Sequence, residues 1–149
     1  MGHGPPSHRD SRVAHERVML LLDTNVWLKF YWQLPLPARL LMALEKDSLA
    51  VSSISILEAA TLIRKGRLPG VAPLQEWLLL ALDGYAVTAF SSEIAAAAGS
   101  DGWEHQDPAD RILVQTAKIL GYTLLHTDAT IRERKDFRQM YFKLPQAWT

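Results

Sequence analysis

The sequence contains no cysteine among its 149 residues and carries no net formal charge. The first absence excludes disulfides, thiolate metal sites and a cysteine nucleophile, and it is compatible with the cytoplasmic location that we expect. The second means that contact with nucleic acid must come from local basic patches or bound cations, because no overall field attracts the chain to it. No stretch approaches the roughly 20 apolar residues of a membrane helix, so no membrane association is expected.

The length is sufficient for one domain with a sizeable core but not for two. Residues 1–17 carry Gly, Pro, Ser, His and charges without periodicity, and we expect a disordered tail, an over-long start or an expression remnant there. Met19, at the start of the first predicted strand, could be the natural start. The remainder, residues 18–149, is predicted to form a single domain.

Short apolar runs alternate with helical patterns along the chain. Met19–Leu22 is apolar throughout and stops abruptly at Asp23, which is typical of a strand buried on both faces. A clear helix start is Asp107-Pro108, and that helix is predicted to reach Leu120. Other strands are predicted at Leu49–Val51, Tyr85–Thr88, Thr123–Thr127 and Met140–Leu144. The alternation indicates an α/β fold whose central, mainly parallel sheet is flanked by helices.

Two of the predicted strands end in an acid. Asp23 follows the first strand, and Asp128 follows the strand that ends at Thr127. If these strands are neighbours, both acids lie on the rim where ligands gather in open parallel sheets. Either acid could instead cap the helix that follows it, since aspartate favours that position.

Two more acids stand on helices that are predicted to pack against the sheet. Glu58 has Ile54 and Leu62 four residues away on either side, which predicts an inward position that is costly for an unpaired acid. A rotated helix would leave Glu58 at a polar edge instead. Asp110 lies one turn after Asp107, which fits an N-cap, and Asp110 itself suits the first turn of a helix. Asp110 nevertheless precedes an apolar pair and is expected close to the buried side.

A cluster of these carboxylates suits a hard cation. Acidic oxygens without His or Cys ligands favour Mg²⁺ or Mn²⁺. Packed together, carboxylates raise one another's pKa values, and a bound divalent cation offsets that effect and keeps them ionised. The chemistry that such a site supports is phosphodiester hydrolysis, in which one or two metals activate water and stabilise the leaving oxygen.

Four stretches form a set: Asp23-Thr24-Asn25 after a buried strand, Glu58 within the Ser53–Gly66 helix, the H-x-D-P-x-D-R segment His105–Arg111, and Thr127-Asp128 at a later strand end. This set resembles PIN-domain nucleases, and within them the VapC-type toxins of bacterial toxin–antitoxin pairs. The resemblance extends from Met19 to the C-terminus. It implies a three-layer fold with strand order 3-2-1-4-5 and an acidic metal site.

The resemblance also implies an activity and a set of site residues. The family cleaves RNA with Mg²⁺, for which Mn²⁺ is a possible substitute; its members usually form homodimers and are inhibited by a small antitoxin whose tail enters the acidic groove. The catalytic and metal-binding residues carried over to this chain are Asp23, Glu58, Asp110 and Asp128.

Secondary roles are expected for four neighbours of these acids. Thr24 and Asn25 would orient Asp23 or the water, and Arg111 would hold a carboxylate or a phosphate. Asp107 is a secondary candidate or a cap. The loop residue His105 could contact the substrate, but it is interpreted as having no ligand role, and His126 is interpreted as an ordinary strand residue.

Two ambiguities remain at the level of sequence. Basic residues cluster after the third helix and after Asp128, which fits an RNA substrate as well as it fits solvated helix ends. Since aspartate caps explain three of the acids, a PIN-like protein that binds RNA or a partner without cleaving is the competing hypothesis. A phosphoacceptor or phosphatase site is disfavoured, because Asp23 is followed by Thr24-Asn25 and not by a second aspartate two residues on, and the strand that ends in Thr127-Asp128 offers no lysine there.

Overall fold

The computed structural model describes residues 18–68 and 73–144. The predicted tail at residues 1–17 lies outside the described residues. The strands are β1 (Met19–Leu22), β2 (Ser48–Ser52), β3 (Tyr85–Thr88), β4 (Thr123–His126) and β5 (Gln139–Tyr141). The helices are α1 (Thr24–Tyr31), α2 (Ala38–Lys46), α3 (Ser53–Arg64), α4 (Leu74–Ala81), α5 (Ser92–Ser100), α6 (Pro108–Leu120) and α7 (Ala129–Arg132).

The strands form one sheet in the order β3-β2-β1-β4-β5, and every neighbouring pair is parallel. The predicted fold class and strand order are therefore confirmed. β1 lies at the centre, with Leu22 paired to Val51 of β2 on one side and to Leu125 of β4 on the other. The carboxyl ends of β1 and β4 consequently meet at one edge of the sheet.

Both faces of β1 are covered by apolar side chains, which explains its unbroken apolar sequence. Leu20 and Leu22 point into a core that contains Trp27 of α1 and Trp77 of α4, whose rings lie 5.7 Å apart. Leu21 points the other way, into a second core against α6. The two tryptophans are buried, so they pack inside the domain.

The helix α6 begins and ends where its sequence predicts. The Asp107 carboxylate accepts the Ala109 amide at 2.9 Å, Pro108 occupies the first turn, and Gly121 terminates the helix with a φ of 72°. No helix in residues 18–68 and 73–144 is long and apolar enough to cross a membrane.

The last strand differs from its prediction, Met140–Leu144. It covers Gln139–Tyr141, because β4 turns away after His126 and offers no further residue to pair with. Phe142 instead packs into the core, with 5% of its surface exposed.

Candidate metal centre

A cavity of about 840 Å³ opens at the edge of the sheet where β1 and β4 end. Its walls come from the start of α1, the middle of α3, the start of α6 and the β4–α7 connection. Five acids line it: Asp23, Glu58, Asp107, Asp110 and Asp128. Among the described residues, neither lysine nor arginine lines the cavity. The folding of the chain thus brings the four predicted site acids to one place.

Asp23 is the most deeply buried of these acids, with 9% of its surface exposed. Its carboxylate accepts the Val26 amide at 2.8 Å and so caps α1. Burial raises the pKa of Asp23 to about 7; the Val26 amide lowers it, and the nearby charge of Asp110 raises it further. The cap thus uses one carboxylate oxygen of Asp23, which also lines the cavity. The interpretations of Asp23 as a helix cap and as a site acid are therefore compatible.

Glu58 is half-buried and faces the cavity from α3. The hydroxyl of Thr24 donates a hydrogen bond to its carboxylate and lies 2.8 Å from the hydroxyl of buried Ser55. Burial raises the pKa of Glu58; the Thr24 hydroxyl lowers it, and the charges of Asp107 and Asp110 raise it. Thr24 therefore orients Glu58, whereas the sequence had suggested that it orients Asp23 or the water. Asn25 is exposed at the cavity wall.

Asp110 projects from the first turn of α6, and its Oδ2 lies 2.7 Å from Nε2 of His105. Both side chains are largely covered, with 20% and 19% exposed. Burial raises the pKa of Asp110; the hydrogen bond from His105 lowers it, and the charges of Asp107 and Asp128 raise it. The sequence did not predict this contact, because from sequence His105 is interpreted only as a loop residue with no ligand role.

Asp128 is held at the end of β4 by main-chain bonds on both sides. Its carboxylate accepts the Thr130 and Ile131 amides at 2.7 and 3.3 Å, which caps α7. Its own amide donates to Nδ1 of buried His126 at 3.1 Å. Since an amide can only donate, that nitrogen is unprotonated, and His126 Nε2 donates to Gln139 at 2.7 Å.

His126 is therefore more than an ordinary strand residue, because both of its ring nitrogens have a partner. Burial lowers its pKa, while the hydrogen bond with Gln139 and the charge of Asp128 raise it. A neutral imidazole with one fixed tautomer thus anchors the main chain at Asp128.

Arg111 is predicted to hold a carboxylate or a phosphate, but in the structure its guanidinium contacts the main chain. Its guanidinium donates to four main-chain carbonyls, those of Ala98, Asp101, Trp103 and His105, at 2.5–2.9 Å. Arginine has five N–H donors in a rigid, planar arrangement, and here they hold the turns of a loop together. No sequence pattern identifies main-chain carbonyls as partners, whereas the H-x-D-P-x-D-R pattern suggests an ionic one.

Three side chains could share one cation. A ring nitrogen of His105 and carboxylate oxygens of Asp110 and Asp128 all lie within 4.8 Å of one another. Asp23 and Glu58 stand around this group and raise the negative charge of the cavity. The donors are mostly carboxylate oxygens, which fit a hard divalent cation, and such a charge would lower the raised pKa values of the acids. The arrangement can therefore bind a metal and present it to an anionic substrate.

Comparisons with known proteins agree with the fold described above. The sequence model of the family described as PIN domain matches residues 20–136. The chain is 31% identical over 122 residues to Ribonuclease VapC22 of Mycobacterium tuberculosis. This alignment covers 78% of this chain and 92% of that protein. Among solved structures, VapBC2 from Rickettsia felis bound to a promoter DNA fragment matches 85% of this chain and 100% of that chain, with a TM-score of 0.64 and 16% identity.

A toxin–antitoxin complex from Klebsiella pneumoniae also matches, over 80% of this chain and 98% of that chain, with a TM-score of 0.56 and 18% identity. At these identities the two structural matches show a shared fold.

Proposed function

Because the chain belongs to the PIN domain family, we propose that it is a metal-dependent endoribonuclease that acts as the toxin of a toxin–antitoxin pair in the cytoplasm. The metal would be Mg²⁺, with Mn²⁺ as a substitute. The ribonuclease relative supports this proposal, since it is aligned over most of both chains. The observation that carries it is the cavity, in which four predicted site acids converge without a lysine or arginine in its described wall.

The direction of the pKa shifts supports a site built for a cation. Burial raises the pKa of Asp23, Glu58 and Asp110 above their ordinary values, so these acids are held where their ionised forms are disfavoured. A fold that needed only helix caps would not have to bring such acids together. A divalent cation would make the ionised forms favourable again.

Each acid has a distinct part in the proposed site. Asp110 and Asp128 would hold the cation, which when bound supplies a Lewis acid and an activated water for phosphodiester hydrolysis. Asp23 would add charge from the buried end of β1. Glu58, oriented by Thr24, lines the same cavity from α3 and could accept the proton of the attacking water.

An RNA substrate is consistent with the described surface near Glu58. Arg64, Lys65 and Arg67 are exposed at the end of the helix that carries Glu58. Arg64 lies six positions after Glu58 on this helix, which corresponds to about 9 Å along the axis. Cations at that distance could hold phosphates of a strand whose scissile bond lies at the acids.

The proposed partners are an antitoxin and a second copy of the chain. The matched structures include complexes of a toxin with its antitoxin, which motivates the first partner. An acidic cavity of this size could receive a basic or hydrogen-bonding segment of an inhibitor. The homodimer rests on the family resemblance.

The deciding experiment measures Mg²⁺-dependent cleavage of total bacterial RNA by the purified chain and by Asp110→Asn. We expect discrete fragments with wild type, none with EDTA, and a loss of at least about 100-fold in the variant, because it removes a charge that the cation needs. Asp83→Asn is the matched control, because it makes the same chemical change at an exposed turn outside the cavity.

A second readout separates a nuclease from a silent binding module. Mg²⁺ or Mn²⁺ should raise the melting temperature of wild type and of Asp83→Asn, but much less that of Asp110→Asn. If folded wild type cuts no RNA and neither metal shifts its melting temperature, the acids serve as caps and the non-cleaving binding module is the better description.

A further inference from the structure

The loop that precedes α6 carries His105 and is held by the guanidinium of Arg111. Arg111 gathers the carbonyls of Asp101, Trp103 and His105, and Arg111 directly follows Asp110 in the same helical turn. The side chain that fixes the loop and the acid that faces it therefore move as one unit. A loop held by several guanidinium bonds is preorganised, and its histidine has a defined position.

A tilted aromatic contact with Trp103 supports the ring from another direction. The centroids of His105 and Trp103 lie 4.6 Å apart, and the guanidinium of Arg134 lies 4.9 Å from the Trp103 ring. Arg134 is itself held by Asp101 at 2.9 Å. The imidazole is thus held in place by a series of side-chain contacts, and its Nε2 points at Asp110.

We propose that His105 is a nitrogen ligand of the cation held by Asp110 and Asp128, an inference that rests on the proposed function. Ligand atoms about 2.1 Å from one ion lie up to about 4.2 Å apart. The three donors lie within 4.8 Å of one another, so a small inward movement would complete the site. His126 cannot serve in this way, because both of its nitrogens are engaged.

A nitrogen donor changes which ion the site prefers. Mg²⁺ takes oxygen ligands almost exclusively, whereas transition ions readily accept imidazole. A set of one imidazole and two carboxylates therefore favours Mn²⁺ over Mg²⁺ more strongly than the acids alone would. The ligand set predicted from the sequence consisted of oxygens only, and this structure adds a nitrogen to it.

The competing role for His105 is that it only orients Asp110 by donating a hydrogen bond. His105→Gln distinguishes the two roles, because the glutamine amide can also donate from the ε position but does not coordinate a metal through nitrogen. If His105 only positions Asp110, His105→Gln leaves the metal selectivity unchanged. If His105 is a ligand, the same substitution changes the metal selectivity.

The test is electron spin echo spectroscopy of Mn²⁺ bound to the purified full chain, together with titrations of Mn²⁺ and Mg²⁺. We expect nitrogen modulation of the Mn²⁺ signal in wild type and its loss in His105→Gln. The variant should bind Mn²⁺ about tenfold more weakly while its Mg²⁺ affinity changes less than about threefold. Labelling histidine with ¹⁵N in wild type checks the nitrogen assignment without any substitution.

Each outcome separates this inference from the proposed function. Bound Mn²⁺ without nitrogen modulation, or an unchanged preference for Mn²⁺ in His105→Gln, overturns the ligand role and leaves a nuclease site of oxygen ligands. Failure of Mn²⁺ to bind wild type at all overturns both. Should His105→Gln not fold, the shift in modulation frequency between unlabelled and labelled wild type still decides the question.

Discussion

The molecule contains two acidic regions in which the pKa values of carboxyl groups are shifted in opposite directions. In the first, the cavity acids (Asp23, Glu58, Asp110 and Asp128), burial raises the pKa of the first three. In the second, the paired cluster (Asp101, Asp136, Arg134 and Lys118), Arg134 bonds both aspartates at 2.6–2.9 Å and Lys118 bonds Asp136 at 3.0 Å.

The paired cluster shows what a structural acid looks like in this fold. Arg134 holds the pKa of Asp136 well below its ordinary range. At Asp101 burial raises the pKa, but the Trp103 amide and Arg134 outweigh it and leave the pKa lowered. Asp110 has the imidazole of His105 beside it, but neither lysine nor arginine lines the described cavity wall. Acids that stabilise this fold are thus paired with an arginine or a lysine. The acids of the cavity lack such a pairing among the described residues, at the place where a metal ion is expected.

The largest effect should follow from Asp23→Asn, which keeps the α1 cap and removes one cavity charge. RNA cleavage should fall by about 100-fold or more, while the metal-free protein should unfold at an equal or higher temperature, because a disfavoured buried charge is gone. The matched change in the paired cluster, Asp101→Asn, should lower the melting temperature and reduce cleavage far less than Asp23→Asn, because the Asp101 side chain lies outside the cavity and supports His105 only through Arg134 and Trp103. Cleavage assays and thermal unfolding of both variants test the contrast; a reversed pattern would break it.

The next effect should come from Arg134→Met, which retains bulk but removes the cation of the paired cluster. We expect a loss of about 2–3 kcal/mol in the free energy of unfolding, because Asp101 is largely covered and loses its partner. Denaturant unfolding measures it. Lys118→Met is the control, with a loss of about 0.5 kcal/mol or less, since its ion pair is exposed. Equal losses in both variants would contradict the assigned role of Arg134.

Dependence on pH distinguishes the regions further. Asp23 has a pKa raised from 3.8 to about 7 in the folded chain, so between these values the folded state binds more protons than the unfolded state. Its contribution to stability is therefore complete below the lower value and is lost as pH rises through about 7.

From pH 5 to pH 6, metal-free wild type should lose about 1 kcal/mol more stability than Asp23→Asn. Subtracting the variant isolates Asp23 from His126, whose lowered pKa acts in the opposite direction. Saturating Mg²⁺ should diminish the difference. Parallel stability curves in metal-free buffer would show that Asp23 does not titrate in this range.

The sequence predicted those parts of the fold whose causes are local. An apolar run ending in Asp23 and the Asp107-Pro108 start of α6 each have a short-range signal in spacing and residue type. The convergence of Glu58 with Asp110 depends on strand order, and the strand order itself followed from the family resemblance.

What the sequence did not predict depends on partners without a sequence signature. Arg111 binds carbonyls, which every residue carries, so its target could not be identified from residue types. His105 and His126 acquire their roles from a loop conformation and from a strand register, and both are set by contacts between distant segments. Histidine in a polar or apolar context has many structural roles, and only geometry selected these two.

The smallest effect is expected at Asp107, which shares features with both kinds of acid. It caps α6 like a structural residue, yet its charge raises the pKa of Glu58 and Asp110. Asp107→Ser keeps a capping oxygen and removes the charge, so we expect stability within about 0.5 kcal/mol and cleavage within about threefold of wild type. Asp107→Ala, which removes the cap as well, should cost about 1 kcal/mol. A loss of cleavage in Asp107→Ser as large as in Asp110→Asn would make Asp107 a fifth acid that the cation requires, because the cap would still be present.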